Sequence, residues 1–311
     1  MNAPQKLAGF IAGLAVVFAG ALGVGAAIGP TGDAAAPAAD VQEPSQAANE
    51  ADGLPGGLMV SDGTYTLQLA TTQTATGANV PLRLQIVDTA GRPLTRYATS
   101  HHKQLHLIVV RRDMVGFQHV HPVLDGGGNW SVPLNLTRAG DYRVFADLIP
   151  EGGEALTLGA DLHVAGDYRP QPLPVPATTA RVADYTVTLA GELVPGQSSK
   201  VSLSVTQNGR PVTDLQPYLG AYGHLVALRD GDLAYLHVHP HGHPGDGVTA
   251  AGPTIDFEAT TPSAGDYCLF LDFRHNGVVR TAEFTVAARP APAETADSAG
   301  QPHPAAPAHG H

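Results

Sequence analysis

Histidine is the residue type in this sequence whose spacing suggests chemistry. The chain has 311 residues, of which 15 are histidines, against 17 Lys and Arg together. The motif His-Val-His-Pro occurs twice, at 119–122 and at 237–240, and another histidine lies 13 residues before each copy. Neutral imidazole is the side chain that most often binds metal ions in proteins. The spacing therefore predicts two sets of three ligands: His106, His119 and His121, and His224, His237 and His239.

These histidines fall on segments that we expect to form hairpins. Asp230-Gly231, between His224 and His237, is the dipeptide typical of a two-residue type I′ turn. Such a turn would place His224 directly opposite His237, with His239 on the same face because side chains alternate along a strand. The first repeat has the same spacing around a less typical turn, Arg112-Asp113. We therefore expect three imidazoles to converge on each hairpin.

Three imidazoles on one face suit Zn(II), Cu(II) or Ni(II). The soft ligands that favour Cu(I) are scarce, with three Met and one Cys in the chain, so we expect a copper or zinc ion bound by histidine. The alternative is that the rings stack and hydrogen-bond in a half-buried hairpin without a metal. Both copies keep the histidines although the residues between them differ, as at 108–110 and 226–228, which favours metal binding.

Four further residues are candidate ligands. Asp147 and Asp272 each lie in a Phe-X-Asp sequence within an apolar strand, where a lone carboxylate is costly to bury. Each is expected to be a fourth ligand, an acceptor that orients a histidine, or a carboxylate paired with a backbone N–H or an arginine. His241 and His243 continue the second motif, where they would enlarge the second site or form a flexible metal-collecting loop.

The remaining polar candidates have simpler interpretations. We expect Tyr142 and Tyr267 to be packing residues and Cys268 to be a buried thiol. His303, His309 and His311 end a Gly- and Pro-rich tail, where such residues bind metal weakly or are incidental.

The histidine motifs belong to a tandem repeat. Residues 91–122 match the segment 118 positions later without a gap, and the blocks at 139–147 and 264–272 both begin Ala-Gly-Asp-Tyr. Apolar residues alternate with period two, and Gly, Pro and Asp-Gly turns separate the alternating segments. We therefore predict an all-β protein with two tandem immunoglobulin-like antiparallel β-sandwiches, following an N-terminal membrane helix. The Ala-Gly-Asp-Tyr blocks are typical of the approach to strand F.

The N-terminal segment at 7–28 is uncharged and mostly apolar, and Lys6 precedes it. A segment of this length can span the ~30 Å hydrocarbon core, so we expect a signal anchor. A cleaved signal peptide and a buried core helix are the alternatives. Since Lys6 favours a cytoplasmic N-terminus, the rest of the chain would be exported. The expected location is the cell membrane, as a single-pass protein with an extracytoplasmic C-terminal region, or the secreted fraction.

The expected domain boundaries follow from these segments and from local composition. Residues 30–57 and 289–311 are rich in Ala and Pro and have few apolar residues to bury, which predicts disorder. The predicted organisation is a signal anchor or signal peptide at 1–29, a linker at 30–57, sandwiches at 58–166 and 182–288 joined by a Pro-rich linker at 167–181, and a histidine-containing tail at 289–311.

Composition excludes several classes of function. The formal net charge is −11, so the chain lacks the basic surface that nucleic-acid binding needs. Its single cysteine excludes an internal disulfide and Cys-based zinc or iron–sulfur sites. The expected partners are the membrane, through the N-terminal helix, and another envelope or metal-transport protein.

The segment 106–122, His-Leu-Ile-Val-Val-Arg-Arg-Asp-Met-Val-Gly-Phe-Gln-His-Val-His-Pro, resembles a signature of exported bacterial proteins of the YtkA-like and FixH-like group. The segment 218–240 is similar to a form common in secreted or membrane-anchored actinobacterial proteins. This resemblance covers most of residues 60–288. It implies an immunoglobulin-like sandwich, export, and heavy-metal or copper handling. The chain lacks Met-rich copper motifs, which argues against Cu(I) carriage.

Together these observations predict an extracytoplasmic metal-binding protein that is not an enzyme, with one Cu(II)- or Zn(II)-type site per repeat. The alternative is a structural or interaction module of the cell envelope that binds no metal. A third interpretation is a metalloenzyme, since the residues at 119–125 faintly resemble a cupin motif and those at 237–239 faintly resemble Cu/Zn superoxide dismutase. The other ligand spacings of both enzyme classes are missing from the sequence.

Overall fold

The structure, a computed structural model, describes residues 54–291 apart from the side chains of His237 and His239. Every regular element in this range is a β-strand, and the range contains no helix long and apolar enough to cross a membrane. The predicted membrane segment at 7–28, residues 30–53 of the predicted linker and residues 292–311 of the predicted tail lie outside the described residues.

The strands divide between the two repeats. The first repeat contains β1 (Tyr65–Leu69), β2 (Gln73–Ala75), β3 (Gly77–Asp88), β4 (Leu105–Arg111), β5 (Gln118–Val120), β6 (Val123–Leu124), β7 (Trp130–Leu136), β8 (Gly140–Leu148) and β9 (Leu156–Ala165). The second contains β10 (Thr179–Val182), β11 (Tyr185–Ala190), β12 (Ser198–Gln207), β13 (Arg210–Pro211), β14 (Gly223–Arg229), β15 (Tyr235–Pro240), β16 (Thr254–Thr260), β17 (Gly265–His275) and β18 (Val278–Ala288).

The first repeat is a sandwich of two sheets. One sheet has the order β1-β3-β7-β6, and the other has the order β2-β9-β8-β4-β5, in which only β2 and β9 are parallel among the described strands. These orders match the A-B-E-D and G-F-C sheets of an immunoglobulin-like fold. Alternate side chains, including Leu84, Leu107 and Val144, fill the core between the sheets. The predicted all-β, immunoglobulin-like class is confirmed.

The second repeat has the same plan, but one strand joins its two sheets. The order is β10-β11-β12-β16-β15-β14-β17-β18, with β13 attached to β12. Strand β15 pairs first with β14 and then, through His239 and Pro240, with β16. The core of this sandwich includes Leu203, Phe257 and Leu271.

A tyrosine occupies the same corner in both repeats. The hydroxyl of Tyr142 donates to the carbonyl oxygen of Arg138, and that of Tyr267 donates to the carbonyl oxygen of Ser263, each at 2.9 Å. Both tyrosines are buried at the start of strand F. This contact is the tyrosine corner of immunoglobulin-like domains. It agrees with the packing role predicted for these residues.

The two sandwiches pack against each other through the outer faces of β4, β8, β14 and β17. An apolar cluster separate from both cores, here called the joint cluster, consists of Ile108, Val110, Met114, Phe145, Val226, Leu228, Leu233, Tyr235, Cys268 and Phe270. Phe117 stacks on Phe270 with ring centroids 4.0 Å apart. Burial raises the pKa of the Cys268 thiol to about 12, as expected for an apolar-like thiol. Because these strands are buried on both faces, they contain uninterrupted apolar runs, such as 107–110 in β4 and 268–271 in β17.

The N-terminal boundary of the first domain differs from the predicted one. Residues 54–57, assigned to the linker from their composition, lie against both sandwiches. The carbonyl oxygen of Gly56 accepts the N–H of Tyr235 at 3.0 Å, and the N–H of Gly57 donates to Thr157 at 2.9 Å. The Arg143 guanidinium also donates to the carbonyl oxygen of Gly57 at 2.7 Å. Composition gave no indication of these contacts because they use the backbone of the segment.

Candidate metal centre

The histidine faces of β4 and β14 meet between the sandwiches. Leu107 points into the core of the first sandwich, whereas its neighbours His106 and Ile108 face the second. His224 and Val226 face the first sandwich in the same way. His106 and His224 are each 3% exposed. The sequence left open whether these faces are solvent-exposed, and the structure buries them at the joint.

Three histidines of the first repeat bring one ring nitrogen each to a common point. His106 Nδ1 lies 3.1 Å from His119 Nε2 and 3.3 Å from His121 Nε2. The three nitrogens all lie within 4.8 Å of one another. Nitrogens that share a tetrahedral ion with bonds near 2.0–2.1 Å are about 3.3 Å apart. The distances from His106 Nδ1 to the other two nitrogens therefore match those of a three-histidine metal site.

Oxygen acceptors orient two of these rings from their far sides. His106 Nε2 lies 3.1 Å from the carbonyl oxygen of Ser100, and His119 Nδ1 lies 2.9 Å from Oδ2 of Asp272. Metal-binding histidines usually donate their second N–H to such an acceptor, which fixes the tautomer and the ring orientation. Asp272 therefore occupies the orienting position that we considered for it, but it does so for a histidine of the other repeat.

The positions of the ring protons in the triad favour a cation between the rings. Carbonyl and carboxylate oxygens only accept, so the protons of neutral His106 and His119 are on Nε2 and Nδ1 respectively. The remaining nitrogens then present lone pairs to each other across 3.1 Å. Two acceptors at this distance repel each other unless a proton or a metal ion lies between them.

His121 is held in the form that coordinates metals. Burial, together with the neighbouring His119, His106 and Lys103, lowers its pKa to about 2. The ring is therefore neutral at physiological pH. Because a histidine must be unprotonated at the ligand nitrogen, this environment removes proton competition at His121.

His224 is oriented in the same way as His106. Its Nε2 lies 2.9 Å from the carbonyl oxygen of Tyr218, at the start of a tight turn six residues upstream. The turns at 100–103 and 218–221 each have reciprocal backbone hydrogen bonds and two central residues with positive φ. These features define type I′ turns. The rings of His106 and His224 are stacked with centroids 6.4 Å apart, so the equivalent histidines of both repeats meet.

The sequence analysis missed His101, which belongs to the same cluster. Its ring centroid lies 5.1 Å from that of His224 and 5.9 Å from that of His106. Its φ of 47° places it at the first central position of a type I′ turn. The sequence did contain a signal, because His101-His102 aligns with Leu219-Gly220 in the second repeat. A position aligned with a glycine often has a left-handed backbone, which indicates a tight turn at this point.

The hairpin register differs from the predicted one by two residues. His237 pairs with Val226, not with His224, and His119 pairs with Ile108 in the equivalent hairpin of the first repeat. A shift by an even number of residues leaves every side chain on its original face. The predicted convergence of His106, His119 and His121 therefore occurs in the described structure although the predicted pairing is wrong.

Burial of Leu233 explains the wider loop of the second hairpin. Leu233 has a φ of 62°, is fully buried and belongs to the joint cluster. Arg229 binds both carboxylate oxygens of Asp232, which in turn accepts the N–H of Ala234 at 3.1 Å. Removing the leucine side chain from water outweighs the two-residue turn preference of the Asp-Gly pair.

Asp147 is the counterpart of Asp272 in the first repeat. It is buried and accepts hydrogen bonds from Thr157 at 3.2 Å and from the Tyr235 hydroxyl at 3.3 Å. Burial and the nearby Asp147 raise the pKa of Tyr235 well above its usual value, so this hydroxyl remains a donor. In the part of the chain that the structure describes, the group of converging ligand atoms contains histidine nitrogens and no carboxylate.

The extension of the second motif does not reach the cluster. His241 and His243 are exposed, and His241 Nε2 lies 3.1 Å from Oε1 of Glu258. The predicted enlargement of the second site by these two histidines stays a prediction. The side chains of His237 and His239 lie outside the described structure, so the second triad stays a prediction.

Comparison with known proteins shows one family and several loosely similar structures. A domain of unknown function, DUF8832, matches the chain twice, over residues 59–166 and 180–290. No curated protein sequence matches the chain. No match supports the resemblance of the histidine motif to the YtkA-like and FixH-like group.

Several of the similar solved structures are of bacterial proteins. The Escherichia coli adhesin FdeC is 16% identical with a TM-score of 0.25, over 74% of this chain and 65% of its own. InvD of Yersinia pseudotuberculosis is 13% identical with a TM-score of 0.25, over 78% of this chain and 62% of its own. The chain thus spans less than two thirds of either structure, and similarity at this level carries no information about function. The two family matches cover both sandwiches, and the chain therefore belongs to the DUF8832 family as a tandem of two such domains.

Proposed function

We propose that the protein is an exported, non-catalytic metal-binding module. The triad of His106 Nδ1, His119 Nε2 and His121 Nε2 would hold a Zn(II) or Cu(II) ion at the joint between the sandwiches. Imidazole nitrogens without thiolate or thioether ligands suit these ions. The ion would supply the positive charge that three converging lone pairs require.

One observation carries this proposal, namely the approach of His106 Nδ1 to His119 Nε2 at 3.1 Å while each ring has an oxygen acceptor on its other nitrogen. A metal-free stack of histidines accounts for their burial but needs an extra proton between these two nitrogens, whereas a shared ion uses both lone pairs while the rings stay neutral.

Titration of the metal-free full chain with ZnCl2 and with CuSO4 tests the proposal. Loss of a residue that only hydrogen-bonds to a metal ligand lowers metal affinity by ~10–100-fold. Because His121 would be a ligand itself, we expect His121→Gln to raise the Kd of the tightest site by at least this factor. His163→Gln is the matched control, because His163 is exposed and paired with Asp141 away from the joint. Equal affinity and stoichiometry in the wild type and His121→Gln would refute the site. Should His121→Gln lose its circular dichroism spectrum, His119→Gln provides the same comparison.

A second candidate function is a structural or interaction module of the cell envelope that needs no metal. The observation that favours it is the joint cluster, in which Phe117 and Phe270 stack and which joins the sandwiches through apolar contacts that need no metal. Under this function, the full chain would have the same melting temperature in EDTA and in excess Zn(II). A melting temperature that rises with Zn(II) in the wild type but not in His121→Gln favours metal binding.

We also propose that the segment 7–28 anchors the protein in the membrane, with both sandwiches outside the cytoplasm and an envelope or metal-transport protein as partner. The secreted form is the alternative. Cell fractionation with external protease treatment tests the location, since an anchored protein sediments with membranes and is digested from outside. Superoxide or dioxygenase turnover by the metal-loaded chain would contradict the non-catalytic assignment.

A further inference from the structure

One hydrogen bond of the histidine triad crosses the joint between the repeats. His119 lies on β5 of the first repeat and Asp272 lies on β17 of the second, with Nδ1 and Oδ2 2.9 Å apart and both side chains 5% exposed. The orienting acceptor of His106, by contrast, is the carbonyl oxygen of Ser100 in its own repeat. The orientation of His119 therefore depends on the position of the second sandwich.

The second sandwich holds this carboxylate in a fixed position. Thr281 Oγ1 on β18 donates to Oδ1 of Asp272 at 2.5 Å, while Oδ2 faces His119. Two residues before each partner, Phe117 and Phe270 stack with centroids 4.0 Å apart. Phe270 and Asp272 share one face of β17, and Phe117 directly precedes β5, which carries His119. A displacement of the sandwiches that separates the stacked rings therefore also withdraws the acceptor from His119.

We propose that the metal site is a latch between the two sandwiches, with Asp272 as the positioning residue that the second repeat contributes to the site of the first. The inference rests on the proposed metal binding and goes beyond it. A cation on Nε2 makes the Nδ1–H of His119 a stronger donor to the carboxylate. Because such coupling is reciprocal, docking raises the metal affinity by the same factor by which the metal favours docking.

Asp272→Asn in the full chain tests the positioning role. The amide keeps the shape of the side chain but removes its charge, so we expect the Kd for Zn(II) to rise by about 10–100-fold with unchanged stoichiometry. Asp214→Asn is the matched control, since Asp214 contacts Nε2 of His275 at 3.0 Å in the second sandwich outside the triad. Equal Zn(II) affinity of Asp272→Asn and the wild type would overturn the positioning role.

A pair of variants on β14 tests the coupling to docking without changing any triad residue. Leu228 belongs to the joint cluster and Leu225 belongs to the core of the second sandwich, and both are buried. Leu228→Ala lowers the docked fraction, and the apparent Kd is inversely proportional to that fraction. We expect a several-fold weaker Zn(II) affinity in Leu228→Ala than in Leu225→Ala.

The outcomes separate this inference from the proposed function. Absence of Zn(II) and Cu(II) binding by the wild type refutes the proposed function and the latch together. Tight binding that is lost in His121→Gln but unchanged in Asp272→Asn and Leu228→Ala supports the metal site and overturns the latch alone.

Discussion

Buried charged residues near the joint between the sandwiches have partners of opposite charge and further hydrogen-bond partners. Arg111, which is 2% exposed, donates to both carboxylate oxygens of Asp113 at 2.7 Å and to the carbonyl oxygen of Ala139 at 2.9 Å. Asp113 also accepts the backbone N–H of Gln171 at 2.8 Å. The Arg111–Asp113 pair therefore holds the end of β4 next to the start of the Pro-rich linker.

Asp113→Asn is predicted to lower the free energy of unfolding by about 3 kcal/mol at pH 7, because it leaves the Arg111 charge buried without its counter-charge. Burial alone would raise the pKa of Asp113, but Arg111 and the Gln171 N–H outweigh it and hold this pKa below its usual value. The stabilisation is thus complete above the unfolded pKa of about 3.9 and disappears as the pH falls through the lower folded-state pKa.

Urea denaturation of both proteins between pH 7 and pH 2 measures this difference. It should be constant down to about pH 4 and shrink below that value. Asp167→Asn is the control, because its pair with Arg169 is 72% and 85% exposed and should contribute less than ~1 kcal/mol. A wild-type advantage that persists unchanged at pH 2 would contradict the assignment.

Turns are the elements that decide where the histidines lie. The two-residue type I′ geometry predicted for Asp230-Gly231 occurs instead at 100–103 and 218–221, whose first carbonyl oxygens orient His106 and His224. Between β14 and β15 the chain uses the wider loop that buries Leu233. Turn preference is a local free energy of about 1 kcal/mol, so the burial of one large apolar side chain can override it.

Leu219→Asn should stabilise the protein by about 1 kcal/mol. Leu219 has a φ of 53° and precedes Gly220, so the substitution creates the Asn-Gly pair that a type I′ turn favours and relieves a left-handed leucine. Differential scanning calorimetry measures the change. Gly220→Ala is the opposite test, since φ is 79° there and the new Cβ would lie 3.0 Å from the His102 ring, so it should destabilise. A lower melting temperature for Leu219→Asn would refute this reasoning.

At the scale of the whole molecule, residues 54–291 form two immunoglobulin-like domains that share a third apolar cluster. Each sandwich has its own core, and the joint cluster draws residues from both repeats. Both sandwiches belong to one compact unit. Interfaces between domains of one chain are usually more polar and permit relative motion. The apolar character of this one favours cooperative unfolding of the pair.

Ile108→Glu is predicted to separate the sandwiches without unfolding them. Ile108 is fully buried in the joint cluster, and an unpaired carboxylate there costs on the order of 3–5 kcal/mol. We expect one denaturation transition in the wild type and two in the variant, with a larger radius of gyration by small-angle X-ray scattering. Val123→Glu, at a residue 72% exposed, is the control and should leave both measurements unchanged. A single transition in both variants would contradict the shared cluster.

Much of the fold was predictable because its signals are local. Period-two alternation follows from the pleat of each strand, so Leu82, Leu84 and Ile86 identified the face of β3 that enters the core. The packing of residues 54–57, at the C-terminal end of the predicted linker, was not predictable. Gly56 and Gly57 are held there by backbone hydrogen bonds to residues distant in the sequence. Backbone contacts of this kind leave no pattern of side chains in the sequence.

The sequence by itself determined that His106, His119 and His121 share one face of the hairpin. A register shift by an even number of residues, such as the one observed, leaves every side chain on the same face. Only the tertiary structure decided that this face is buried against the second repeat and that Asp272, 153 residues from His119, orients a ring of the triad. The alternation of residues along a strand shows which side chains lie on the same face. It does not show which face packs against another sheet, because that depends on how the two complete domains pack together.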